Sequence, residues 1–345
     1  MLRLLHIGFV VITLLAYLPP VIDPSNTAVV APLGLLTPVL WGIMCLWGIY
    51  WAFRRDSAVW LSLVTLLLGW DAIGRIYALP DGSVTTQGTP IQLVTLNGHG
   101  FLPSRPGGKS FEYMAAFFQP LSPDVICLQE FPTKEGGKKL GQLIQAATGL
   151  THSFFDPQGR LAVFSKYPLK DGKIFFFENR VNGFMQVDVS APDGTFRLFN
   201  LHLQTNGISH IASQVANDAQ WQEPKTWQKV RTMFAKYGNS NRIRTEQSRQ
   251  IMKRVADSSY PVVVCGDFND VPSSYLYQLF RQELQDAHLA QGWGLGTTYS
   301  GLLPGLRIDY VMPDASFGVL DFERHPCPFS DHKALFTSLA VQSIQ

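Results

Sequence analysis

The sequence predicts an α/β domain built around a mostly antiparallel sheet and preceded by three transmembrane helices. Two observations carry this prediction. The first eighty residues hold most of the long apolar runs and very few charges, whereas the remainder has the mixed composition of a soluble globular domain. In that remainder, short β-branched or aromatic runs alternate with amphipathic segments, and several strand-like runs follow one another without a helix between them. We therefore divide the chain into a transmembrane region (1–77), a linker (78–90) and a soluble domain (91–345).

Three apolar segments lie in the transmembrane region. Leu4–Ile22 follows Arg3 as in a signal peptide, but no small-residue cleavage pattern comes after it. Pro32–Phe53 is long enough to cross a bilayer, which takes roughly twenty residues. Ala58–Gly74 is shorter and contains Asp71. The alternative is that these segments are core helices of a soluble domain. It is disfavoured because three of them in succession leave no polar face for water.

The distribution of arginine predicts the orientation of the chain in the membrane. Arg54 and Arg55 lie between the second and third apolar segments, while Asp23–Ala31 contains neither Lys nor Arg. The positive-inside tendency then places the double-arginine loop and the amino terminus in the cytoplasm. Arg75, just beyond the third segment, opposes this assignment. We expect an integral protein of the inner or plasma membrane with an extracytoplasmic soluble domain.

Charge and cysteine content argue against several classes of protein. The net charge is only +2, whereas proteins that bind duplex DNA usually carry a strong basic excess. None of the four cysteines has a CxxC neighbour, which makes a zinc site, a redox motif or a disulfide framework improbable.

The elements of the soluble domain are predicted from hydrophobic period and turn residues. Strands are expected where β-branched and aromatic residues form short runs, at Ile91–Leu96, Asp124–Gln129, Leu161–Ser165, Ile174–Phe177, Met185–Val189, Phe196–Leu203, Val262–Cys265, Arg307–Val311 and Leu335–Leu339. Helices are expected where apolar residues recur every three or four positions, at Phe111–Gln119, Gly137–Thr148, Thr226–Lys236, Arg244–Val255 and Tyr275–Gln282.

Acidic, amide and imidazole side chains recur where these strands end. Gly266 lets the chain turn after Val262–Cys265, so that Asp267 and Asn269 project from the rim of the sheet. Gly-Asp after a strand is also an ordinary turn signal, so this motif alone does not establish a site. The same pattern recurs elsewhere, which indicates one common site, with Asn97, Glu130, His202, Asp309, Asp331 and His332 as its members.

Short motifs in a fixed order cover roughly Ile91 to Val341. They are Leu-Asn-Gly, Cys-Leu-Gln-Glu, Val-Phe-Ser-Lys-Tyr-Pro, Phe-Asn-Leu-His-Leu, Gly-Asp-Phe-Asn-Asp, Arg-Ile-Asp-Tyr-Val and Ser-Asp-His-Lys. In this order the motifs resemble the endonuclease/exonuclease/phosphatase superfamily, the group that includes DNase I and the neutral sphingomyelinases. The resemblance implies a DNase I-like four-layer sandwich, in which two mostly antiparallel sheets pack face to face with helices outside. It also implies hydrolysis of phosphate esters.

The oxygen-bearing side chains suit a divalent metal. Hydrolysing a phosphate ester means bringing water to an anion and stabilising extra negative charge. Mg²⁺ does both, and prefers a few carboxylate or amide oxygens together with retained waters. We predict Glu130 as the leading Mg²⁺ ligand, with Asn97 and Asp331 completing the set and Mn²⁺ as a substitute ion. The alternative for Glu130 is an ordinary solvated residue at a strand end.

The remaining site residues are assigned to proton transfer and phosphate binding. Asp267 is expected to orient or deprotonate the attacking water, and Asn269 to donate to a phosphoryl oxygen. The resemblance implies that His202 and His332 both approach the phosphate. His332 would bind or protonate a phosphate oxygen, and Asp309 would accept its other N–H and fix the tautomer.

Other polar residues carry no motif or depart from the family pattern. The remaining histidines are interpreted as structural or surface groups, with His99 and His210 as exceptions because they adjoin motif blocks. In many family members a bulky apolar residue follows the position of Asn97, and here Gly98-His99-Gly100 stands instead.

The segment Thr205–Thr245 is long and combines basic with aromatic residues: Lys225, Lys229, Arg231, Lys236, Arg242 and Arg244 among Trp221, Trp227, Phe234 and Tyr237. Such a loop could bind nucleic acid by stacking and phosphate contact. It could equally contact anionic lipid headgroups, or be a solvated pair of amphipathic helices.

Together these observations predict a membrane-anchored, Mg²⁺-dependent phosphoesterase with a lipid or lipid-linked phosphate as its favoured substrate. The alternatives are a nuclease acting on extracytoplasmic DNA or RNA, and a catalytically silent binding domain on a membrane anchor. The intact set of site residues disfavours the silent domain. The expected partners are the bilayer and a phosphate-ester substrate, and no obligate protein partner is evident.

Overall fold

The computed structural model describes residues 1–80, 82, 88–104, 108–155, 160–178, 180–205, 224–301 and 305–341. They form two compact units. The helical unit comprises Met1–Tyr77, the described part of Asn206–Glu246, and Asp270–Leu279. The sandwich unit comprises the described parts of Ala78–Thr205, Gln247–Asn269 and Phe280–Gln345.

The N-terminal helices are shorter than predicted. They are α1 (Leu2–Ala16), α2 (Thr37–Phe53, preceded by a 3₁₀ turn at Ala31–Leu36), α3 (Val59–Leu68) and α4 (Trp70–Ile76). Within the described residues, only Ala31–Phe53, with 23 residues, is long and apolar enough to cross a membrane by itself. The pair α3–α4 qualifies only as one span bent by 58°. The prediction of three transmembrane helices is therefore wrong in number.

The physical causes are one proline pair and one glycine. Helix α1 has 15 residues and ends before Pro19-Pro20, because proline has no N–H to continue the helix. The bend between α3 and α4 falls at Gly69, where a Cβ would lie within 2.1 Å of the Tyr17 ring. Counting apolar residues does not detect either interruption.

Two mixed sheets form the sandwich unit, as the predicted fold class requires. The first has six strands in the order β10-β11-β1-β2-β4-β3, and the second has five in the order β5-β6-β7-β8-β9. Among the described strand pairs, only β1–β2 and β7–β8 are parallel. The strands are β1 (Ile91–Asn97), β2 (Val125–Gln129), β3 (His152–Phe155), β4 (Leu161–Ser165), β5 (Leu169–Phe176), β6 (Gly183–Ala191), β7 (Gly194–His202), β8 (Val262–Asp267), β9 (Asp309–Pro313), β10 (Phe317–His325) and β11 (Ala334–Val341).

The helices after the linker are α5 (Phe111–Ala116), α6 (Lys134–Thr148), α7 (Pro224–Ala256), α8 (Tyr275–Arg281) and α9 (Ala287–Gln291), with 3₁₀ turns at His99–Phe101 and Gln119–Leu121. Where two helices flanking a loop were predicted, α7 is one helix of 33 residues. In the sequence, Gly238 lies where the loop between the two predicted helices was expected. In the structure it allows a close approach instead, since a Cβ there would lie 2.6 Å from the Ala28 carbonyl oxygen.

Apolar side chains of the sandwich unit form two buried clusters. One includes residues of both sheets, such as Val163, Leu198 and Cys265. The other includes residues of the six-stranded sheet together with residues of α5 and α6, such as Phe164 and Leu140. The edge strands β3 and β10 were not predicted. β10 carries Asp321, Glu323 and Arg324 among its apolar residues, so its sequence lacks the apolar run by which strands were predicted.

The buried imidazole of His288 on α9 predicts a loss of stability in mild acid. Burial and nearby Arg307 lower its pKa from 6.5 to about 4. Below pH 6.5 the unfolded chain therefore binds a proton that the folded protein excludes at His288, so the contribution of His288 to stability is complete above 6.5 and is lost as the pH drops toward 4. This lowering of the pKa corresponds to about 3 kcal/mol. Urea unfolding between pH 4 and 7.5 should show a flatter profile for His288→Gln than for the wild type. Profiles of equal slope would contradict the assignment.

Candidate active site

Asn97 joins the ends of the two sheets at the predicted rim. It ends β1 in the first sheet, and its Nδ2 donates to Asp267 Oδ2 on β8 of the second sheet at 2.9 Å. The same Nδ2 lies 3.4 Å from Glu130 Oε1. Its Oδ1 accepts the His99 amide at 3.0 Å. As it stands, Asn97 thus holds two carboxylates through its amino group, and its role as an oxygen ligand stays a prediction.

One cross-strand row of the second sheet supplies three site residues. His202 on β7 lies opposite Asp267 on β8, which lies opposite Asp309 on β9. Residues directly opposite each other project from the same face of a sheet. This face also carries Asn200, whose side chain bonds to Gln129 of the other sheet. The row therefore points between the sheets, where its three side chains are buried.

His332, just before β11, is held by Asp309. Its Nδ1 lies 2.9 and 3.1 Å from the two Asp309 carboxylate oxygens, and its Nε2 lies 4.0 Å from Asp267 Oδ2. The Tyr299 ring packs edge-on against the imidazole with centroids 5.3 Å apart. Burial alone would lower the pKa of His332. The carboxylates of Asp309 and Asp267 outweigh it and raise that pKa to about 10, so an imidazolium stands at the rim at neutral pH.

Asp267 is positioned by three donors. It accepts the Asn269 backbone N–H at 2.8 Å, the Asn269 side-chain Nδ2 at 3.1 Å and the Asn97 Nδ2. Burial and the neighbouring Asp309 carboxylate raise the pKa of Asp267, against the opposing influence of His332. A buried carboxylate with a raised pKa is the kind of group that accepts a proton from water during a reaction.

Asn269 is turned inward. It adopts a left-handed backbone conformation with φ +54°, which is uncommon for a non-glycine residue and is frequent at functional sites. Its Nδ2 donates to the Leu203 carbonyl and to Asp267, both at 3.1 Å. These bonds use both amide hydrogens. Donation to a phosphoryl oxygen, which the sequence predicts, would require one of them to be released.

Glu130 is the more accessible member of a close pair with the buried His202. Glu130 also has a left-handed backbone, with φ +54°, and its side chain is 28% exposed. His202 Nε2 lies 3.8 Å from Glu130 Oε1 and 3.9 Å from Asp267 Oδ2. Among the described residues, His202 Nδ1 has no hydrogen-bond partner although it is buried.

Asp331 is paired with His99, a histidine that the sequence singles out because it adjoins a motif. Asp331 Oδ1 lies 2.7 Å from His99 Nδ1, a close charged contact. Burial favours the protonated acid, but contact with His99 and the charge of His332 lower the pKa of Asp331. His210, the other histidine singled out from the sequence, lies outside the described residues.

A polar layer beneath the rim was missed from the sequence. Gln129 Nε2 donates to Thr95 Oγ1 at 3.0 Å and to Asn200 Oδ1 at 2.6 Å. Asn200 in turn donates to backbone carbonyls of β2 and β4. Both Gln129 and Asn200 stand inside quoted motifs. An amide in an otherwise apolar strand, one or two residues before a site residue, is the signal that could have identified them.

Among the described acidic and imidazole side chains, one cluster could hold a divalent ion. Asp267, Asp309 and His332 offer ligand atoms within 4.8 Å of one another, all from buried residues. In that group the imidazolium already offsets the carboxylates. The predicted ligands Glu130 and Asp331 are more accessible. Carboxylate oxygens such as those of Glu130 and Asp331 are the ligands that Mg²⁺ prefers, and their role as metal ligands stays a prediction.

The two-sheet sandwich and this rim of carboxylates and imidazoles define the class of hydrolases that cleave phosphoester bonds. The family model "Endonuclease/Exonuclease/phosphatase family" matches residues 94–332, so the chain belongs to that family. The predicted superfamily and fold are confirmed. A second model, a domain of unknown function, matches residues 1–76. No curated protein matches the chain.

Solved structures share the fold at low sequence identity. An endonuclease/exonuclease/phosphatase protein from Bacteroides vulgatus is 15% identical with a TM-score of 0.52, over 74% of this chain and 100% of that one. The human Nocturnin catalytic domain with a bound sulfate is 15% identical with a TM-score of 0.51, over 75% and 97%. Truncated Caenorhabditis elegans TDP2 is 14% identical with a TM-score of 0.51, over 74% and 100%. These similarities concern the fold alone.

Proposed function

We propose that this protein is a membrane-anchored, Mg²⁺-dependent phosphoesterase whose favoured substrate is a lipid or lipid-linked phosphate. The observation that carries the proposal is the buried row of His202, Asp267 and Asp309, with the His332 imidazolium held beside it. This arrangement combines a base for water with a cation for the phosphate. Family membership supplies the reaction class, and the substrate and the metal are our inference.

In the proposed reaction, water attacks phosphorus in line with the ester oxygen that leaves. Asp267 takes a proton from the water while the water oxygen forms its bond to phosphorus. The phosphorus–oxygen bond to the alcohol breaks, and the alcohol leaves with a proton from His332 or solvent. The His332 imidazolium attracts the phosphoryl oxygens, and Asp309 keeps the ring in place. Mg²⁺ held by Glu130 and Asp331 would supply further positive charge.

Membrane anchoring supports a lipid substrate. Ala31–Phe53 meets the length and hydropathy of a membrane span, although a signal sequence near the amino terminus meets the same criteria. The near-neutral net charge of +2 disfavours a polyanionic nucleic acid. Tyr237 and Arg244 of the segment Thr205–Thr245 are buried, which weakens the expectation that these two side chains bind either nucleic acid or lipid headgroups. Part of that segment lies outside the described residues.

Orientation depends on how many segments cross. If α3 and α4 cross together as one bent span, the Arg54-Arg55 loop lies inside and the sandwich is extracytoplasmic, which is the arrangement we propose. If Ala31–Phe53 alone crosses, the same rule places the double arginine and everything after it in the cytoplasm. A reporter fused after Gln345 distinguishes the two arrangements.

The purified full-length protein should hydrolyse bis(4-nitrophenyl) phosphate with Mg²⁺, stop with EDTA, and recover on adding Mg²⁺ or Mn²⁺ because the predicted ligands are hard oxygen donors. A panel of phospholipid vesicles, single-stranded and duplex DNA, and sugar phosphates should show the highest turnover on lipid. If turnover is highest on DNA, the lipid substrate is wrong and the protein is a nuclease. A complete lack of metal-dependent turnover on every ester would refute the proposal that the protein is a phosphoesterase.

A further inference from the structure

A cross-strand row links the edge of the five-stranded sheet to the active site. Phe176, the last residue of β5, lies opposite Gly183 on β6, and Gly183 lies opposite His202 on β7. Neighbouring strands are about 4.8 Å apart, so the Cα atoms of Phe176 and His202 are about 10 Å apart. Directly opposite residues project from the same face. Phe176 therefore lies on the face that carries His202 and Asp267.

Gly183 keeps the middle of this row free of side chains. A Cβ at Gly183 would lie 2.5 Å from the Phe175 carbonyl oxygen and 3.3 Å from the Phe176 Cα. Backbone atoms cannot move aside as a flexible side chain can, so this position requires glycine. No side chain of the row therefore stands between Phe176 and His202.

Phe176 and its neighbour Phe175 both line a cavity of about 580 Å³, but they differ in their ring contacts. Phe175 stacks on Phe184 with centroids 4.8 Å apart, and the Arg254 guanidinium lies 3.8 Å above the Phe175 ring. Phe176 makes no ring contact with other described residues, and 38% of it is exposed. Ring packing thus accounts for an aromatic residue at position 175. It does not account for an aromatic residue at position 176.

Phe176 also lines an open cavity of about 600 Å³ together with Phe177, Glu178 and Arg180. Val181, in the same turn, is 44% exposed. The cavity therefore combines apolar surface with one acidic and one basic side chain. Since these two charges offset each other, the cavity suits an uncharged chain better than a polyanionic strand.

We propose that Phe176 and this cavity form a subsite for the alkyl or acyl chain of a phosphate ester whose phosphate lies at His202 and Asp267. The inference rests on the proposed function and specifies its substrate class, a lipid phosphate. A chain of about six carbons is comparable in length to the roughly 10 Å between the Cα atoms of His202 and Phe176. The subsite contributes to binding of the chain and takes no part in bond breaking.

The test compares two soluble esters, 4-nitrophenyl methyl phosphate and 4-nitrophenyl hexyl phosphate, with the full-length protein and Mg²⁺. The wild type should show a kcat/KM at least about tenfold higher for the hexyl ester, the effect of burying two or three methylene groups. Phe176→Ser should reduce this ratio to near one, whereas Phe176→Leu should retain most of it. Tyr113→Ser removes an aromatic residue on α5 that is 46% exposed and should leave the ratio at the wild-type value.

The outcomes separate this inference from the proposed function. If both esters are hydrolysed equally well by the wild type, the phosphoesterase stands and the subsite is refuted. A hexyl preference that survives Phe176→Ser refutes it as well. If neither ester is hydrolysed, both proposals fail. If 4-nitrophenyl thymidine 5′-phosphate is preferred over the hexyl ester and Phe176→Ser removes that preference, the subsite binds a base and the lipid assignment is overturned.

Discussion

Replacing Asp267 by Asn is expected to lower kcat for phosphoester hydrolysis by about a thousandfold. The carboxylate is fixed by bonds from Asn97 and Asn269, and its pKa is raised by burial and by Asp309, which strengthens it as a base. Asparagine has the same shape but cannot take a proton from water. The measurement is kcat on bis(4-nitrophenyl) phosphate at saturating Mg²⁺.

The fold should survive this exchange. Asparagine at position 267 leaves one buried donor facing the Asn269 amide, but it also removes the repulsion between two buried carboxylates. Because these effects oppose each other, Tm should change by only a few degrees. Asp321→Asn is the matched control, since this exposed aspartate on β10 bonds only locally to the Phe322 amide. If Asp267→Asn keeps more than about a tenth of the activity, another group is the base.

The sequence predicted the residues that gather at the rim because each of them lies at or near the end of a strand whose composition is locally recognisable. Asp267 and His202 stand directly after β-branched or apolar runs, and strands that share a sheet bring their ends together. Which atoms of these side chains would bind a metal is harder to predict from the sequence. Whether Asn97 presents its oxygen or its amino group depends on the His99 amide, which a turn containing Gly100 with φ +78° brings to the Asn97 oxygen.

The contact between His99 and Asp331 shows the same limit. The two residues are far apart in the sequence, and the left-handed conformation of His99 (φ +49°) places its ring beside the carboxylate. Side-chain type gives no indication of this conformation. The number of transmembrane helices was mispredicted for a different reason. Composition measures how apolar a segment is, whereas Pro19-Pro20 and Gly69 decide where its helix ends or bends.

Asp270 closes the Gly-Asp-Phe-Asn-Asp motif and received no role from the sequence. In the helical unit its buried carboxylate accepts the Tyr237 hydroxyl at 2.5 Å, the Asn241 side-chain amide, and the Arg244 guanidinium at 3.2 and 3.3 Å. These three donors lie on α7 with a spacing that puts them on one face. Burial and the Asp270 carboxylate raise the pKa of Tyr237 well above its usual value, so its hydroxyl stays protonated as a donor.

Exchanging either member of the Arg244–Asp270 pair is expected to lower the free energy of unfolding by about 3–5 kcal/mol. Both side chains are fully buried, so Arg244→Met removes a cation from beside the Asp270 carboxylate and Asp270→Asn removes an anion from beside the Arg244 guanidinium. Thermal or urea unfolding of the full-length protein measures the loss, which corresponds to a decrease of about 10 °C in Tm. Arg242→Met, on the exposed side of the same helix, should change stability by less than about 0.5 kcal/mol.

The double variant Arg244→Met/Asp270→Asn decides whether the pair itself is responsible. Much of the cost of each single exchange is the burial of one charge without its partner, and removing both charges eliminates that cost. The double variant should therefore be clearly more stable than the sum of the two single losses predicts, with a coupling of about 1–3 kcal/mol. If the losses simply add, the damage comes from packing around α7 rather than from the ion pair. The Tyr237 and Asn241 hydrogen bonds to Asp270 would then be the main contribution of this cluster.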